Sequence, residues 1–156
     1  MHERYYAAFG SNLNQEQMKE RCPNSVPYKS AMLNNFRLSF RSVADIIPNK
    51  GTNVPIGIYT ITKACEISLD NYESFPTLYT KKNLIISIDN KPLKIMLYMM
   101  NKNYGFGEPS QAYYETIKKG YQDWGLNTWP LRDAFSFSKE NDSGTSYRSI
   151  VWDNKK

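Results

Sequence analysis

A strand–loop–helix pattern at the start of the chain fixes how its first elements meet. Residues 4–9 (RYYAAF) have the composition of a β-strand, and the loop Gly10–Leu13 follows directly. Asn14 then has a side chain suited to cap a helix over 15–21, which Pro23 brings to an end. The small residues between strand and helix allow two interpretations: a plain connection, or backbone N–H groups that face an anionic ligand.

The rest of the chain alternates strand and helix patterns. Strands are predicted over 32–41, 56–62, 78–89, 93–100 and 147–152, with turn chemistry over 45–54. Helices are predicted over 63–73, 111–124 and within 130–144. This order favours a mixed α+β domain around a small curved sheet or barrel. The length of 156 residues indicates one domain, 1–156, with 130–156 as a C-terminal extension whose structure the pattern does not define.

The charge and the cysteine content limit the classes of binding partner and the cellular compartment that we expect for the chain. The formal net charge is +5, but Lys and Arg are scattered, so we predict no specific nucleic-acid binding, and a small anionic substrate fits the charge as well. We recognise neither a membrane-spanning stretch nor a signal peptide. Cys22 and Cys65 form no CxxC pair, so we predict a soluble cytoplasmic protein with reduced thiols that binds no membrane.

The chain has a single histidine, His2, so any catalytic role is expected to fall to residues of other types. Nucleophiles paired with histidine and histidine-ligated metals are disfavoured, because His2 is almost at the terminus. If the chain is an enzyme, a carboxylate is the natural acid/base candidate. No nucleotide-binding motif is present either, and we predict neither a metal nor a cofactor.

The Gly10–Leu13 loop is compatible with a ligand site but does not prove one. Gly10 permits close approach of the backbone, and consecutive N–H groups ahead of a helix can bind one anion. The loop is not a phosphate-binding loop, because GxxxxGK[ST] is absent, and it is not a nucleophile elbow, because GxSxG is absent.

The segment LDNYESFP (69–76) supplies the acid candidate. Asp70 and Glu73 are three residues apart, which places them near one another on a helical turn. Glu73 stands between Tyr72 and Phe75-Pro76, and a carboxyl among aromatic side chains loses hydration, so we predict that its pKa rises toward neutrality. The alternative is an ordinary surface acid at the end of a helix.

Taken together and in order, these motifs resemble the gamma-glutamylcyclotransferase-like family. The family pattern has an aromatic-Gly-Ser-Asn-Leu loop, a later acidic helix with a glutamate before a small residue, and a Pro-Ser-x-x-Tyr helix start. The matching stretches here are YYAAFGSNL (5–13), LDNYESFP (69–76) and PSQAYYETIKKG (109–120). The connecting stretches RCP (21–23), RLSF (37–40) and ADIIPNKGTNVPIGIYTI (44–61) look like the family framework. The resemblance covers residues 4–129.

The resemblance implies a small mixed β-barrel flanked by helices, and a reaction within one substrate molecule. In that reaction the α-amine of a γ-glutamyl compound attacks its own γ-carbonyl, which gives 5-oxoproline and a free amine. By position, Glu73 is the implied catalytic acid/base and Tyr113 lines the pocket. The implied substrate loop consists of Phe9, Gly10, Ser11, Asn12 and Leu13. The chain departs from the pattern at Phe9, where Tyr is frequent, and at Ser74, where Gly is frequent.

Two other functions stay open on the sequence alone. A non-catalytic protein that sequesters a small anionic metabolite would use the same pocket, and a related lyase or transferase would act on a γ-glutamyl compound with another leaving group. Tyr79 and Lys81, just after the acidic segment, are further candidates to reach a substrate carboxylate. The sequence names neither the leaving amine nor the oligomeric state.

Overall fold

The computed structural model describes residues 4–101, 103–149 and 152, which form a five-stranded sheet, four α-helices and a short 3₁₀ turn. The strands are β1 (Arg4–Ala8), β2 (Val26–Arg41), β3 (Val43–Ile61), β4 (Tyr79–Ile88) and β5 (Lys91–Met100). The helices are α1 (Gln15–Arg21), α2 (Lys63–Tyr72), α3 (Gln111–Asp123) and α4 (Trp129–Glu140), and the 3₁₀ turn is Ser11–Leu13. The predicted mixed α+β class is confirmed.

The sheet is curved but open. Its strand order is β2-β3-β1-β5-β4, in which β1 pairs antiparallel with β3 and parallel with β5. Within the described residues β2 and β4 are edges that do not pair with each other. Lys29 of β2 nevertheless forms an ion pair with Asp89, between β4 and β5, so the two ends of the sheet curl toward one another. The curved sheet is confirmed, and the barrel is wrong, because closure requires a backbone ladder between the edges.

The largest difference from the predicted elements lies in β2 and β3, which form one long hairpin that reverses at Ser42. We predicted turn chemistry over 45–54, but these residues belong to β3, Pro48 included. Pairing continues on both sides of residues 49–52, which bulge out of the ladder opposite Asn35. Turn-forming residues therefore build a bulge inside a strand, and they do not connect two strands.

The helices α1 and α3 begin where the sequence predicts, because their N-caps are encoded locally. The Asn14 side chain accepts a 3.1 Å hydrogen bond from the Gln17 N–H and caps α1. Ser110 caps α3 in the same way, with the Tyr113 N–H as donor. Gly125 follows α3 with a φ of 65°, which suits a glycine after a helix. None of the described helices has the length and apolarity to cross a bilayer.

The chain beyond α3 packs onto β2 through α4. Ser138 of α4 accepts a 2.7 Å hydrogen bond from the Phe40 N–H, and Leu131 of the same helix is fully buried in the common core. The strand that we predicted over 147–152 is not formed in its described part, because residues 147–149 have no regular structure. Residues 150 and 151 lie outside the described residues.

The cysteines are joined, and the prediction of reduced thiols is wrong for this structure. Cys22, just after α1, forms a disulfide with Cys65 in the first turn of α2, at an S–S distance of 2.19 Å. The two residues are 43 positions apart in the sequence, so no local motif revealed that they meet. The bond ties α1 directly to α2.

The helix α3 presses tightly on the 3₁₀ turn. A Cβ on Gly120 would lie 2.5 Å from the Asn14 backbone nitrogen and 2.6 Å from the Leu13 carbonyl carbon. Only a glycine allows this approach without a shift of the backbone. The turn is therefore clamped between the end of β1 and α3.

Candidate active site

A cavity opens where the 3₁₀ turn, the end of α2 and the helix α3 meet the sheet. Six of the seven predicted site residues line it: Phe9, Gly10, Ser11, Asn12, Glu73 and Tyr113. The seventh, Leu13, does not. It is fully buried in the core, and its carbonyl oxygen accepts a 2.9 Å hydrogen bond from Trp124 Nε1. The structure brings the loop and the acid to one cavity and places Leu13 in the packing beside it.

The 3₁₀ turn is held by side chains from two other elements. Its first internal hydrogen bond runs from the Leu13 N–H to the Gly10 carbonyl, at 3.0 Å. The Asn12 side-chain amide donates to the Tyr6 hydroxyl at 3.0 Å, and its oxygen accepts from Arg21 Nη1 at 2.7 Å. The conformation of the turn is thus fixed before any ligand binds.

Glu73 caps the C-terminal end of α2, where its N–H donates to the Leu69 carbonyl at 2.8 Å. The residue is half-buried and lines the cavity. Burial raises the pKa of Glu73 to about 8, although the Arg21 guanidinium lowers it in part. A carboxyl with this pKa gives and takes a proton near neutral pH.

The aromatic surroundings of Glu73 come mostly from across the sheet. Of its sequence neighbours, Tyr72 lines the cavity, whereas Phe75 is 37% exposed and its ring lies 4.5 Å from Lys81 Nζ. Phe75 is therefore not part of the cavity that Glu73 lines, and its ring packs beside Lys81. Four tyrosines of the cavity come from β1, β4, β5 and α3: Tyr6, Tyr79, Tyr98 and Tyr113.

The hydroxyls of these tyrosines are fixed by hydrogen bonds. Ala44 links two of them, because its carbonyl accepts from the Tyr79 hydroxyl at 2.7 Å and its N–H donates to the Tyr113 hydroxyl at 2.9 Å. Burial raises the pKa of all four tyrosines (Tyr6, Tyr79, Tyr98 and Tyr113) above the ordinary value. They stay neutral at pH values where Glu73 titrates.

Asp70 and Lys81 do not contribute to the cavity lining. Lys81 Nζ lies 2.7 Å from Glu66 Oε2 and 3.1 Å from Asp70, and Asp70 also accepts a 2.6 Å hydrogen bond from the Tyr98 hydroxyl. The candidate role of Lys81 in binding a substrate carboxylate is therefore not supported, whereas Tyr79 does line the cavity. Among the described residues no group of three or more His, Cys, Asp or Glu side chains is placed to hold a metal ion.

Sequence reasoning missed a set of cavity residues from the end of the chain: Tyr147, Ser149 and Trp152. The aromatic stretch YRSIVW (147–152) was the available signal, and we interpreted it as a strand. Tyr6 and Tyr98 were missed as well, because a strand pattern does not reveal which strands become neighbours.

Comparison with known proteins decides the family. The sequence model of the family described as "Gamma-glutamyl cyclotransferase, AIG2-like" matches residues 6–125. The chain belongs to this family. It is accordingly an enzyme of the gamma-glutamylcyclotransferase type. The cavity residues of the turn, Glu73 and Tyr113 lie inside the matched segment, and those after α4 lie outside it.

Individual relatives agree with this membership. The gamma-glutamylcyclotransferase of Bos taurus is 29% identical, over 78% of this chain and 71% of its own length. A crystal structure of an uncharacterized protein from Homo sapiens has a TM-score of 0.77 at 24% identity, with 97% of this chain and 96% of that one covered. A structure named gamma-glutamyl cyclotransferase has a TM-score of 0.77 at 23% identity, with 96% and 95% covered. The two structures show that the fold is shared.

Proposed function

We propose that the chain cyclises the γ-glutamyl group of a small γ-glutamyl amide to 5-oxoproline and releases the amine. The observation that carries the proposal is that Glu73, with its pKa raised to about 8, shares one cavity with the turn that starts at Gly10. Family membership points to the same class of reaction. Both reacting groups belong to one substrate molecule, so the ring closes without a second reactant.

Glu73 is the residue that we assign to proton transfer. Its carboxylate takes a proton from the substrate α-ammonium, and the resulting amine nitrogen attacks the γ-carbonyl carbon. A C–N bond closes the five-membered ring, and the C–N bond to the leaving amine breaks. The protonated Glu73 gives its proton to the leaving nitrogen, and the regenerated carboxylate then takes the second proton from the ring nitrogen and passes it to the departing amine, which leaves as an ammonium ion. One acid/base group is sufficient for the whole cycle.

The 3₁₀ turn is the element that we assign to the developing negative charge on the carbonyl oxygen. The N–H groups of Ser11 and Asn12 precede the first internal hydrogen bond of the turn, which starts at Leu13. Fixed N–H donors stabilise an oxyanion without reorganisation during the reaction. Phe9 and Tyr113 form walls beside the turn, and Gly10 keeps the backbone close because a Cβ there would lie 3.0 Å from Ala44 Cβ.

The test is a panel of glutathione, γ-glutamyl dipeptides and γ-glutamyl amines, with 5-oxoproline measured by mass spectrometry. We expect turnover of at least one member, and we expect Glu73→Gln to lower kcat by about 10²- to 10⁴-fold because it removes the acid/base group. Glu66→Gln is the matched control, since it makes the same change on the same helix at a residue outside the cavity lining. Circular dichroism checks that both variants fold.

Two results would contradict the proposal. Full turnover by a folded Glu73→Gln variant would exclude Glu73 as the acid/base. Tight calorimetric binding of a panel member without any 5-oxoproline would favour the protein that sequesters a metabolite.

The cytoplasmic location stays a prediction. The Cys22–Cys65 disulfide stands against it, because disulfides persist mainly in oxidising compartments.

A further inference from the structure

The chain after α4 returns to the cavity along the loop that precedes α3. The Gly105 N–H donates to the Thr145 carbonyl at 3.1 Å, and the Tyr147 ring lies 5.3 Å from the Tyr104 ring, edge to face. These contacts bring Tyr147, Ser149 and Trp152 to the cavity lining. One wall of the cavity is therefore built from residues beyond the segment that the family pattern covers.

Trp152 is the largest residue of this wall, and it is only 5% exposed. Its indole Nε1 donates to the Tyr72 hydroxyl at 3.3 Å, and its ring centre lies 5.0 Å from that of Tyr113 at an angle of 64°. Its backbone N–H donates to Ser149 Oγ at 3.1 Å. The indole is thus held between the residue that precedes Glu73 and the helix α3.

With the indole in this position the cavity is small. Its volume is about 80 Å³. A cavity of about 150 Å³ in another protein accepts benzene. A γ-glutamyl group is larger than benzene, so it already exceeds this volume. The wall that the indole forms must therefore yield to admit the substrate, and it must yield further for a larger amine. Because the γ-glutamyl part is common to all substrates of the class, a limit on size acts on the amine.

We propose that Trp152 is a specificity-determining residue that restricts the chain to γ-glutamyl amides of small amines. This proposal rests on the proposed function. It also makes the described part of the C-terminal extension, residues 130–149 and 152, part of the catalytic domain, because Trp152 and Tyr147 complete a cavity whose other walls come from the sheet, the α2 end, the turn and α3.

The experiment compares kcat/KM for γ-glutamyl methylamide and γ-glutamyl benzylamide in the wild-type chain and in Trp152→Ala. The wild-type chain prefers the methylamide. Trp152→Ala raises the benzylamide-to-methylamide ratio by about tenfold or more, the range for hydrophobic groups that gain or lose room in a pocket. Trp152→Phe, which keeps a buried ring, gives an intermediate ratio and covers the case in which the alanine variant does not fold.

The matched control is Trp129→Ala, since Trp129 is 60% exposed on α4 and is not in the cavity lining. This variant keeps the wild-type ratio. The proposal is overturned if the wild-type chain turns over both amides equally, or if the ratio is the same in the wild-type chain and in both Trp152 variants.

A second measurement separates this proposal from the proposed function. The two amides are titrated calorimetrically into Glu73→Gln and into Glu73→Gln/Trp152→Ala, where no turnover is needed. Absence of 5-oxoproline from the wild-type chain with every amide contradicts the proposed reaction. An affinity for the benzylamide that rises about tenfold in the double variant supports the size limit all the same, and an unchanged affinity overturns it.

Discussion

At the scale of single residues, Arg21 links the two parts of the site. Its guanidinium lies 3.6 Å from the centre of the Tyr72 ring and donates to the Asn12 side chain at 2.7 Å. Its positive charge also opposes the effect of burial on Glu73. One side chain at the end of α1 therefore supports both the turn and the proposed acid/base.

Replacement of Arg21 is expected to move the pH dependence of activity. Glu73 works as a base only when it is ionised, so kcat/KM rises with pH up to the pKa of Glu73, about 8. Arg21→Met removes a charge that lowers this pKa, so the acid limb shifts to higher pH and activity at pH 7 falls. The measurement is kcat/KM from pH 6 to 10 for the wild-type chain and the variant.

Arg21→Lys is the matched control, because it keeps the charge and loses the planar group over Tyr72. It is expected to shift the acid limb less than Arg21→Met. The tyrosines that face Glu73 do not contribute to the acid limb of the kcat/KM profile, because burial raises the pKa of each of them: Tyr6, Tyr79, Tyr98 and Tyr113. Identical acid limbs in all three proteins would show that Arg21 has only a structural role.

The residues of the cavity were predictable to the extent that they form local motifs. Phe9-Gly10-Ser11-Asn12 and Glu73 belong to short patterns, and the structure brings them together. Tyr98 was not predictable, because its place beside the acid depends on the parallel pairing of β5 with β1, which no local pattern encodes. Trp152 depends in the same way on contacts with α2 and α3.

At the scale of elements, local signals determine where helices begin, whereas tertiary contacts determine how far the strand β3 extends. Asn14 and Ser110 fix the starts of α1 and α3 through bonds to residues three positions on, so these helices were predicted well. β3 was predicted poorly because Pro48 and its neighbours favour a turn, whereas pairing with β2 on both sides of the bulge keeps them in the strand.

Gly120→Ala is expected to destabilise the protein. An alanine inside an exposed helix normally gains about 0.5–1 kcal/mol over glycine. Here its Cβ would meet backbone atoms of Leu13 and Asn14 at 2.6 and 2.5 Å, and overpacking of this kind costs about 1–3 kcal/mol. The cost exceeds the gain, so we expect a net loss of about 1–2 kcal/mol in the free energy of unfolding, measured by urea denaturation.

Lys118→Ala is the matched control for this change, because it introduces alanine at an exposed position of α3 two residues away. It is expected to alter the free energy of unfolding by less than about 0.5 kcal/mol. A Gly120→Ala variant that is more stable than the wild-type chain would mean that α3 does not pack on the turn as closely as described.

At the scale of the whole molecule, the sheet order follows from connections that the sequence does not reveal. A small mixed sheet with these strands is compatible with a barrel or with an open curve, since both use the same alternation of residues along each strand. The outcome is decided at the edges, where Lys29 and Asp89 meet through side chains only. The chain after α4 contributes Tyr147, Ser149 and Trp152 to the cavity beside this open sheet.

The Cys22–Cys65 disulfide links the end of α1 to α2 and so connects the two elements that carry Arg21 and Glu73. Cys22 follows Arg21, and Cys65 lies in the helix that ends at Glu73. Closing a loop across a sequence separation of 43 residues removes unfolded-state entropy worth about 4 kcal/mol. We therefore expect dithiothreitol to lower the urea midpoint of the wild-type chain and to leave that of Cys22→Ser/Cys65→Ser, which is already low, unchanged. Equal midpoints for the wild-type chain with and without dithiothreitol, together with two titratable thiols in the unfolded, untreated protein, would show that the chain folds with free cysteines.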